Sequence, residues 1–341
     1  MNGVQQITNI NGFGGAMARK ILAVNGDFKK LRKVRTLNEP AMNGTLLKDE
    51  WKLLDDAVAK AMRSRLIGVN DLINAGLTLR IPNGLGVMTL ESERAGTMGD
   101  ATMSMSASAK ATKDRITFDL VGLPLPVTMC GWGYELRVLM ASQRKGVGLD
   151  TTNGEESGRA IAEKIEDVYF NGSGDFSFAG NTIYGLCDFP DRNEFDLSGD
   201  WSAPGTVETG EPIIQDILAG VYELHEAKFF GPYMLYVPTN YYVRLSDDYK
   251  AASDKSILSR ILEMPFISGV KPADKLIANN VVLVQMTSDV VRLVIGQDVI
   301  TVDWEEEGGY DLNYKTLTIT VPQIRSDKNG NCGVAHGTIP G

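Results

Sequence analysis

Apolar positions recur at helical spacing most clearly between Asp150 and Gly172. Ile161, Ile165 and Val168 fall at i, i+4 and i+7 with Tyr169 beside them, while Arg159, Glu163 and Lys164 lie on the other side. Thr152 and Glu155 are spaced as a capping box, Glu155 and Glu156 suit the positive end of a helix dipole, and Asn171-Gly172 supplies a left-handed stop. This predicts one helix over 152–172 of about five turns, ~30 Å long, enough for the backbone of a flat, elongated domain.

Other segments repeat the pattern less strongly. Leu46 to Leu66 reads as an amphipathic helix with Trp51, Leu54, Val58 and Met62 on one face. Another helix follows Thr209-Gly210-Glu211-Pro212, with Ile214, Ile217, Leu218, Val221 and Leu224 as its stripe and Gly231-Pro232 as its end. Tyr241–Leu245 and Ile257–Leu262 are short helices. Strands are expected at Leu77–Ile81, Thr117–Val121, Tyr233–Val237, Val281–Val284, Val290–Ile295 and Leu317–Val321, and the stretch Cys187 to Gly210 reads as irregular. Helices and strands mix without βαβα regularity, which indicates an α+β chain.

Between Glu91 and Arg115 there is no Leu, Ile, Val, Phe, Tyr or Trp, so this stretch has no core of its own. Within it Met103, Met105, Ala107, Ala109 and Ala111 alternate with Ser104, Ser106, Ser108, Lys110 and Thr112. Composition alone equally describes a flexible linker. Strict period two predicts an extended strand, and hence a long β-hairpin arm that leaves its own domain and rests on another subunit.

The 341 residues are 43% hydrophobic and 23% charged, with a mean hydropathy of -0.10, as in an ordinary globular protein. Cys130, Cys187 and Cys332 are far apart and odd in number, which favours a reducing compartment over a disulfide framework. No secretory leader is expected from Met1 to Gln6, and Leu120 to Tyr134 is too short and too broken by prolines and glycines to span a bilayer. The net charge of -9 is uneven. Before Glu39, Arg19, Lys20, Lys29, Lys30, Arg32, Lys33 and Arg35 face a single acid, Asp27, so a basic arm precedes an acidic body. Such an arm can bind nucleic acid or lie along the acidic face of a neighbouring copy; without the interleaved aromatics of a single-strand binder, the second reading is preferred.

Candidate chemistry is sparse. His225 and His336 lack cysteine or carboxylate neighbours at metal-ligand spacing and read as core-edge or surface residues. There is no Gly-x-Ser-x-Gly elbow and no Walker loop, and Gly12-Phe13-Gly14-Gly15 fails dinucleotide-loop spacing. Asp303, Glu305, Glu306, Glu307 and Asp311 read as a solvated or intersubunit acidic loop rather than a calcium site. Neither an enzyme nor a cofactor or metal site is expected.

Four stretches carry a family resemblance: Glu166-Asp167-Val168-Tyr169-Phe170-Asn171-Gly172 with Ile183-Tyr184-Gly185-Leu186, Gly231-Pro232-Tyr233-Met234-Leu235-Tyr236-Val237, Leu293-Val294-Ile295-Gly296-Gln297-Asp298-Val299, and the closing strand before Val321-Pro322. In this order they resemble the shell proteins of encapsulin nanocompartments and the major capsid proteins of tailed bacteriophages, the Hong Kong 97 (HK97-like) capsid fold. The resemblance implies an N-terminal arm at 1–48, a peripheral-domain helix at 49–76, an extended β-hairpin loop (E-loop) at 77–120 and a peripheral domain at 121–209 with spine helix 152–172. It further implies an axial domain at 210–300, and a peripheral return strand with a C-terminal tail at 301–341.

The same resemblance implies self-assembly into pentamers and hexamers of an icosahedral shell around phage double-stranded DNA, the alternative being a nanocompartment enclosing an enzyme cargo. Intersubunit contacts are then expected from Glu91, Glu93, Arg94, Met103, Met105, Lys110 and Lys113, and from the basic arm, which would otherwise face DNA. Asp247, Asp248, Tyr249, Lys250, Asp254 and Lys255 are expected at the capsomer axis. The implied partners are further copies of the chain, portal, scaffold or decoration proteins, and DNA bound without sequence specificity. The implied location is the virion, after assembly in the host cytoplasm, with no membrane. About fifty residues before Trp51 and a tail from Arg325 to Gly333 exceed a compact encapsulin, and the long arm favours the phage capsid.

Overall fold

A computed structural model describes residues 48–96, 98, 101, 103–106, 108, 110, 113–138, 151–202, 209–250, 255–307 and 310–340. In chain order its elements begin with helices α1 (Lys48–Arg65) and α2 (Gly68–Asn74), then strands β1 (Thr78–Arg80), β2 (Thr89–Ala95), β3 (Phe118–Pro124) and β4 (Thr128–Glu135). The long helix α3 (Thr152–Asn171) leads to β5 (Ser173–Phe178), β6 (Asn181–Ile183) and β7 (Asn193–Asp196). Next come α4 (Gly210–Glu226), β8 (Tyr233–Val237), α5 (Thr239–Arg244), α6 (Ile257–Leu262), β9 (Ile267–Pro272) and β10 (Asn280–Gln285). The long strands β11 (Val291–Glu306) and β12 (Asp311–Ile324) and the final strand β13 (Val334–Thr338) complete the chain.

Two sheets organise these elements. The first has the order β1-β11-β12-β4, the second β7-β13-β10-β8-β9. Helices α1 and α3 cover one face of the first sheet, because Leu54, Val58, Met62, Ile161, Ile165 and Tyr169 form a continuous core with Leu293, Leu312 and Tyr314. The two helices approach closely at Gly158, where a Cβ would stand 2.9 Å from the Val58 carbonyl oxygen. The other face is sealed by a smaller cluster of Leu123, Leu125, Ile183, Val294, Ile319 and Val321.

The second sheet separates two cores by its alternation. Tyr236, Val282, Val284 and Val334 face the helices α1 and α3, whereas Tyr233, Leu235, Val237, Val281, Leu283 and Ala335 face α4, α5 and α6. Trp201 seals this second core, its indole Nε1 donating to Asp216 Oδ2 at 2.8 Å.

Several expectations shift in phase. The residue preceding α3 is Thr151, not Thr152; its hydroxyl donates to Glu155 Oε1 at 2.8 Å, a side-chain pair in place of a capping box. On α4 the buried stripe is Ile213, Ile217, Val221 and Leu224, with Leu218 42% exposed, because that is the face the helix packs against β7 and β13. The Trp51 side chain lies outside the described residues. Strands β11 and β12 extend well beyond the apolar runs, from Val291↔Ile324 to Glu306↔Asp311; in the far half of β12 the buried Leu312 and Tyr314 alternate with Asp311, Asn313 and Lys315, so no continuous apolar run marks it. Strand β7 emerges from the stretch that reads as irregular, and strands β5 and β6 and the separate helix α2 form where no element of their own is expected.

The largest correction concerns the C terminus. The expected tail returns as β13, antiparallel to β10 and parallel to β7, with Val334, Ala335 and His336 buried inside the second sheet. Residues 334–338 thus pair as a strand between β10 and β7 rather than standing as a tail. With Ala, His and Gly at its centre, this strand has little apolar signal of its own.

Candidate assembly surface

Strands β2 and β3 form a separate two-stranded ribbon, in register from Thr89↔Pro124 to Ala95↔Phe118. Alternation gives it two unlike faces. Ser92 and Arg94 turn inward, Gln323 Nε2 donating to Ser92 Oγ at 3.1 Å and Arg94 Nη1 donating to Asp191 Oδ2 at 2.8 Å and Ser326 Oγ at 2.9 Å. Arg94, expected at a subunit contact, is therefore engaged within its own chain. Glu91 and Glu93 are exposed on the opposite face, beside Phe118 and Leu120 of β3, which are 59% and 65% exposed. These two apolar residues belong to the strand expected over Thr117–Val121; nothing in local sequence says which face of a ribbon meets solvent.

Beyond Ala95 and Phe118 the expected strand is not formed among the described residues, and every described residue from 98 to 117 is exposed. Met103 and Met105 are bare to solvent at 99% and 107%, and Lys110 and Lys113 are exposed. Ala107, Ala109, Ala111 and Thr112 lie outside the described residues. So does the basic arm, with Arg19, Lys20, Lys29, Lys30, Arg32, Lys33 and Arg35.

The segment expected at the capsomer axis is a loop pinned to three helices, α4, α5 and α6. Asp247 pairs with Arg244, and Asp248 bridges to Ser256. Tyr249 N–H donates to the Lys255 carbonyl at 3.1 Å, the Tyr249 carbonyl accepts from Gly210 N–H at 3.0 Å, and the Arg260 guanidinium lies 4.4 Å from the Tyr249 ring centre. Lys250 pairs with Glu211 at 3.4 Å and Lys255 with Glu263 at 2.5 Å. Asp254 lies outside the described residues.

The interior offers structural rather than reactive groups. Burial pushes the Cys187 and Cys332 thiols up to about 12, so they are not nucleophiles at neutral pH. A cavity of about 80 Å³ lined by Arg65, Glu163, Glu166, Asp274 and Lys275 is crossed by its own ion pairs, Lys275 to Glu163 at 3.1 Å and Arg65 to Glu163 at 3.4 Å. His336 is buried, with Nδ1 accepting from Arg192 Nε at 3.2 Å and Nε2 lying 2.9 Å from Asn280 Oδ1. His225 packs among Phe230, Tyr233 and Phe266. The acidic residues Asp303, Glu305, Glu306, Glu307 and Asp311 sit at the β11–β12 tip, and no cluster of three or more potential metal ligands occurs among the described residues. No helix among the described residues is long and apolar enough to cross a membrane.

With this geometry in hand, the chain is similar in fold to known shells. It aligns with a virus-like particle from Pyrococcus furiosus at TM-score 0.61 and 15% identity, covering 84% of this chain and 98% of that one. The capsid of Myoviridae phage XM1 aligns at 0.60 and 12% identity, covering 80% and 92%. Mycobacterium phage Bobi aligns at 0.59 and 13%, covering 91% and 98%. At such identities the likeness establishes the fold, an α+β architecture of the Hong Kong 97 capsid kind. No curated protein matches the chain. Since its family model matches residues 38–337, the chain belongs to the family described as a family of unknown function (DUF6260).

Proposed function

We propose that this protein is the major capsid subunit of a tailed bacteriophage, self-assembling into the pentamers and hexamers of an icosahedral shell around double-stranded DNA. The observation that carries this is the ribbon. A two-stranded arm whose outer half leaves Phe118 and Leu120 facing solvent, continuing into a segment whose described residues are all exposed, presents apolar surface that the described residues of its own chain leave bare. Apolar surface left bare on a projecting arm is covered by association, and a heterologous contact repeated around a closed symmetry builds a shell. In this reading 77–120 is the extended loop, α3 the spine and the 246–255 segment the feature at the capsomer axis, with portal, scaffold or decoration proteins as further partners.

The second reading is a compartment shell around a protein cargo; the alignments cover 98% of both the Pyrococcus furiosus virus-like particle chain and the Mycobacterium phage Bobi chain, so coverage does not choose between the two. Electron microscopy and nucleic-acid analysis of particles from the native source separate the two. DNA-filled heads with a tail vertex are expected; tailless shells filled with protein would favour the second reading. A chain that stays monomeric at high concentration would overturn both.

A further inference from the structure

The turn just after β12 is rigid by itself. Asp327 accepts from the amides of Asn329 and Asn331, both at 2.8 Å, and from Asn331 Nδ2 at 2.6 Å, while its own N–H donates to the Asn331 carbonyl at 3.0 Å. Gly330 closes the turn at φ 82°. Ser326 bridges to Cys332 across its base.

Such a turn could connect β12 to β13 without touching anything else, yet Ser326 and Lys328 both reach the ribbon. Ser326 Oγ accepts from Arg94 and donates to Asp191 Oδ2 at 2.5 Å. Lys328 N–H donates to the Ala95 carbonyl at 3.2 Å, and its ammonium reaches Thr117 Oγ1 at 3.0 Å and Asp119 Oδ1 at 3.2 Å. With Gln323 on Ser92, the contacts climb the ribbon's inner face step by step and stop where strand pairing stops, at Ala95↔Phe118.

From this juxtaposition we infer that the Gln323–Lys328 segment is a clamp that sets the direction in which the ribbon leaves the body, and that Arg94 and Lys328 are positioning residues for the curvature of the assembled shell. The curvature part rests on the shell reading above; the clamp itself does not. Its bonds are partly exposed ion pairs, 33% and 29% exposed for Arg94 and Asp191, 33% and 48% for Lys328 and Asp119. Such pairs add little to global stability. They do restrict one angle, and an angular change at the root of a long arm is multiplied at its tip. The same segment continues into β13, so the ribbon's direction is tied to the second sheet through covalent chain.

The test compares the full-length protein with Lys328→Ala and with Arg94→Ala/Lys328→Ala. In unassembled subunits, exchange of the Gly96 amide, which donates to the Thr117 carbonyl at 3.0 Å, is expected to accelerate about tenfold or more while the β11–β12 amides keep their protection and Tm moves by only a few degrees. In assembled particles, the diameter distribution is expected to shift or broaden, and Lys328→Arg to restore it. Unchanged exchange at the ribbon root would overturn the clamp. Accelerated exchange with an unchanged diameter distribution would overturn its role in curvature. A wild-type protein that forms no particle would overturn the shell reading and with it the curvature role, leaving the exchange measurement to decide the clamp. If the double variant does not fold, the single Lys328→Ala change leaves the Asp327 turn intact and decides alone.

Discussion

Glu166 of α3 accepts the backbone N–H of Gly68 at 2.7 Å across 98 residues of chain, and the amides of Ile67 and Val69 converge on the same carboxylate at 3.1 and 3.3 Å. It caps α2 in place of Ile67, which has no side chain able to do so. The approach requires glycine, because a Cβ at position 68 would stand 2.4 Å from the Tyr169 ring. Nearby, Asp71 of the same short helix accepts from the Tyr236 hydroxyl at 2.9 Å and pairs with Lys271, joining the α1–α3 layer to the second sheet.

Replacing Glu166 by Ala strands three donors in a buried site, and urea denaturation is expected to show a loss of ~2–4 kcal/mol. Burial raises the Glu166 carboxyl above its usual range, the three amides pull it down, and Asp71 raises it further. With the folded value above the unfolded one, ionised Glu166 costs stability at neutral pH, and the cost fades as pH falls through the raised value. Wild type should therefore gain on Glu166→Gln as the solution is acidified from pH 7 towards the carboxylate range.

His336 has the opposite sign. Burial, and secondarily the Arg192 guanidinium, push its imidazole down to about 4. A folded value below the unfolded one gives stability that is present above pH ~6.5 and lost as pH falls towards 4, a loss on the order of 3 kcal/mol. In His336→Gln this part of the acid dependence should vanish from denaturation curves measured between pH 7 and pH 4.

Ending the chain after Gly333 removes β13 and leaves β7 and β10 without their common neighbour. Val334 belongs to one core and Ala335 to the other, so both lose packing at once. The expected cost exceeds about 5 kcal/mol, the lower end of a domain's total stability, and the truncated chain should be insoluble or degraded in limited proteolysis.

Gly84 stands against Gly296, where a Cβ would meet the facing backbone at 2.3 Å. Backbone cannot step aside as a side chain can, so Gly84→Ala should cost ~1–3 kcal/mol. Thermal denaturation would detect this as a fall in Tm.

Replacing residues 97–116 by a short turn between Gly96 and Thr117 removes no buried side chain among the described residues. The body is expected to keep its fold by circular dichroism and to lose particle formation in electron microscopy. Particles in normal yield would contradict the proposed role of the arm.

How much of this was legible depended on where the signal was local. The α3 stripe and the strand Tyr233–Val237 are strong periodic patterns, and both lie where expected. The lack of core residues between Glu91 and Arg115 was recognisable and the described residues of 98–117 are exposed, but the strand expected over 103–112 does not form among the described residues, and neither the two faces of the β2–β3 ribbon nor Arg94 turning inward to Asp191 was legible. Neither Glu166 as a cap for α2 nor Lys328 as a partner of Thr117 leaves a trace in local pattern, since each pairing depends on segments about a hundred or more residues apart.

Sequence by itself therefore determined the α+β class, the long helices, the apolar strands and the position of an arm without a core, because periodicity records which side of an element must avoid water. Only tertiary structure decided that the last strand lies inside the second sheet, that one sheet divides two cores, and where the arm is held. Those outcomes depend on which surfaces meet, and a weakly apolar strand such as Val334–Thr338 is buried by its neighbours' hydrogen bonds and packing rather than by any preference of its own.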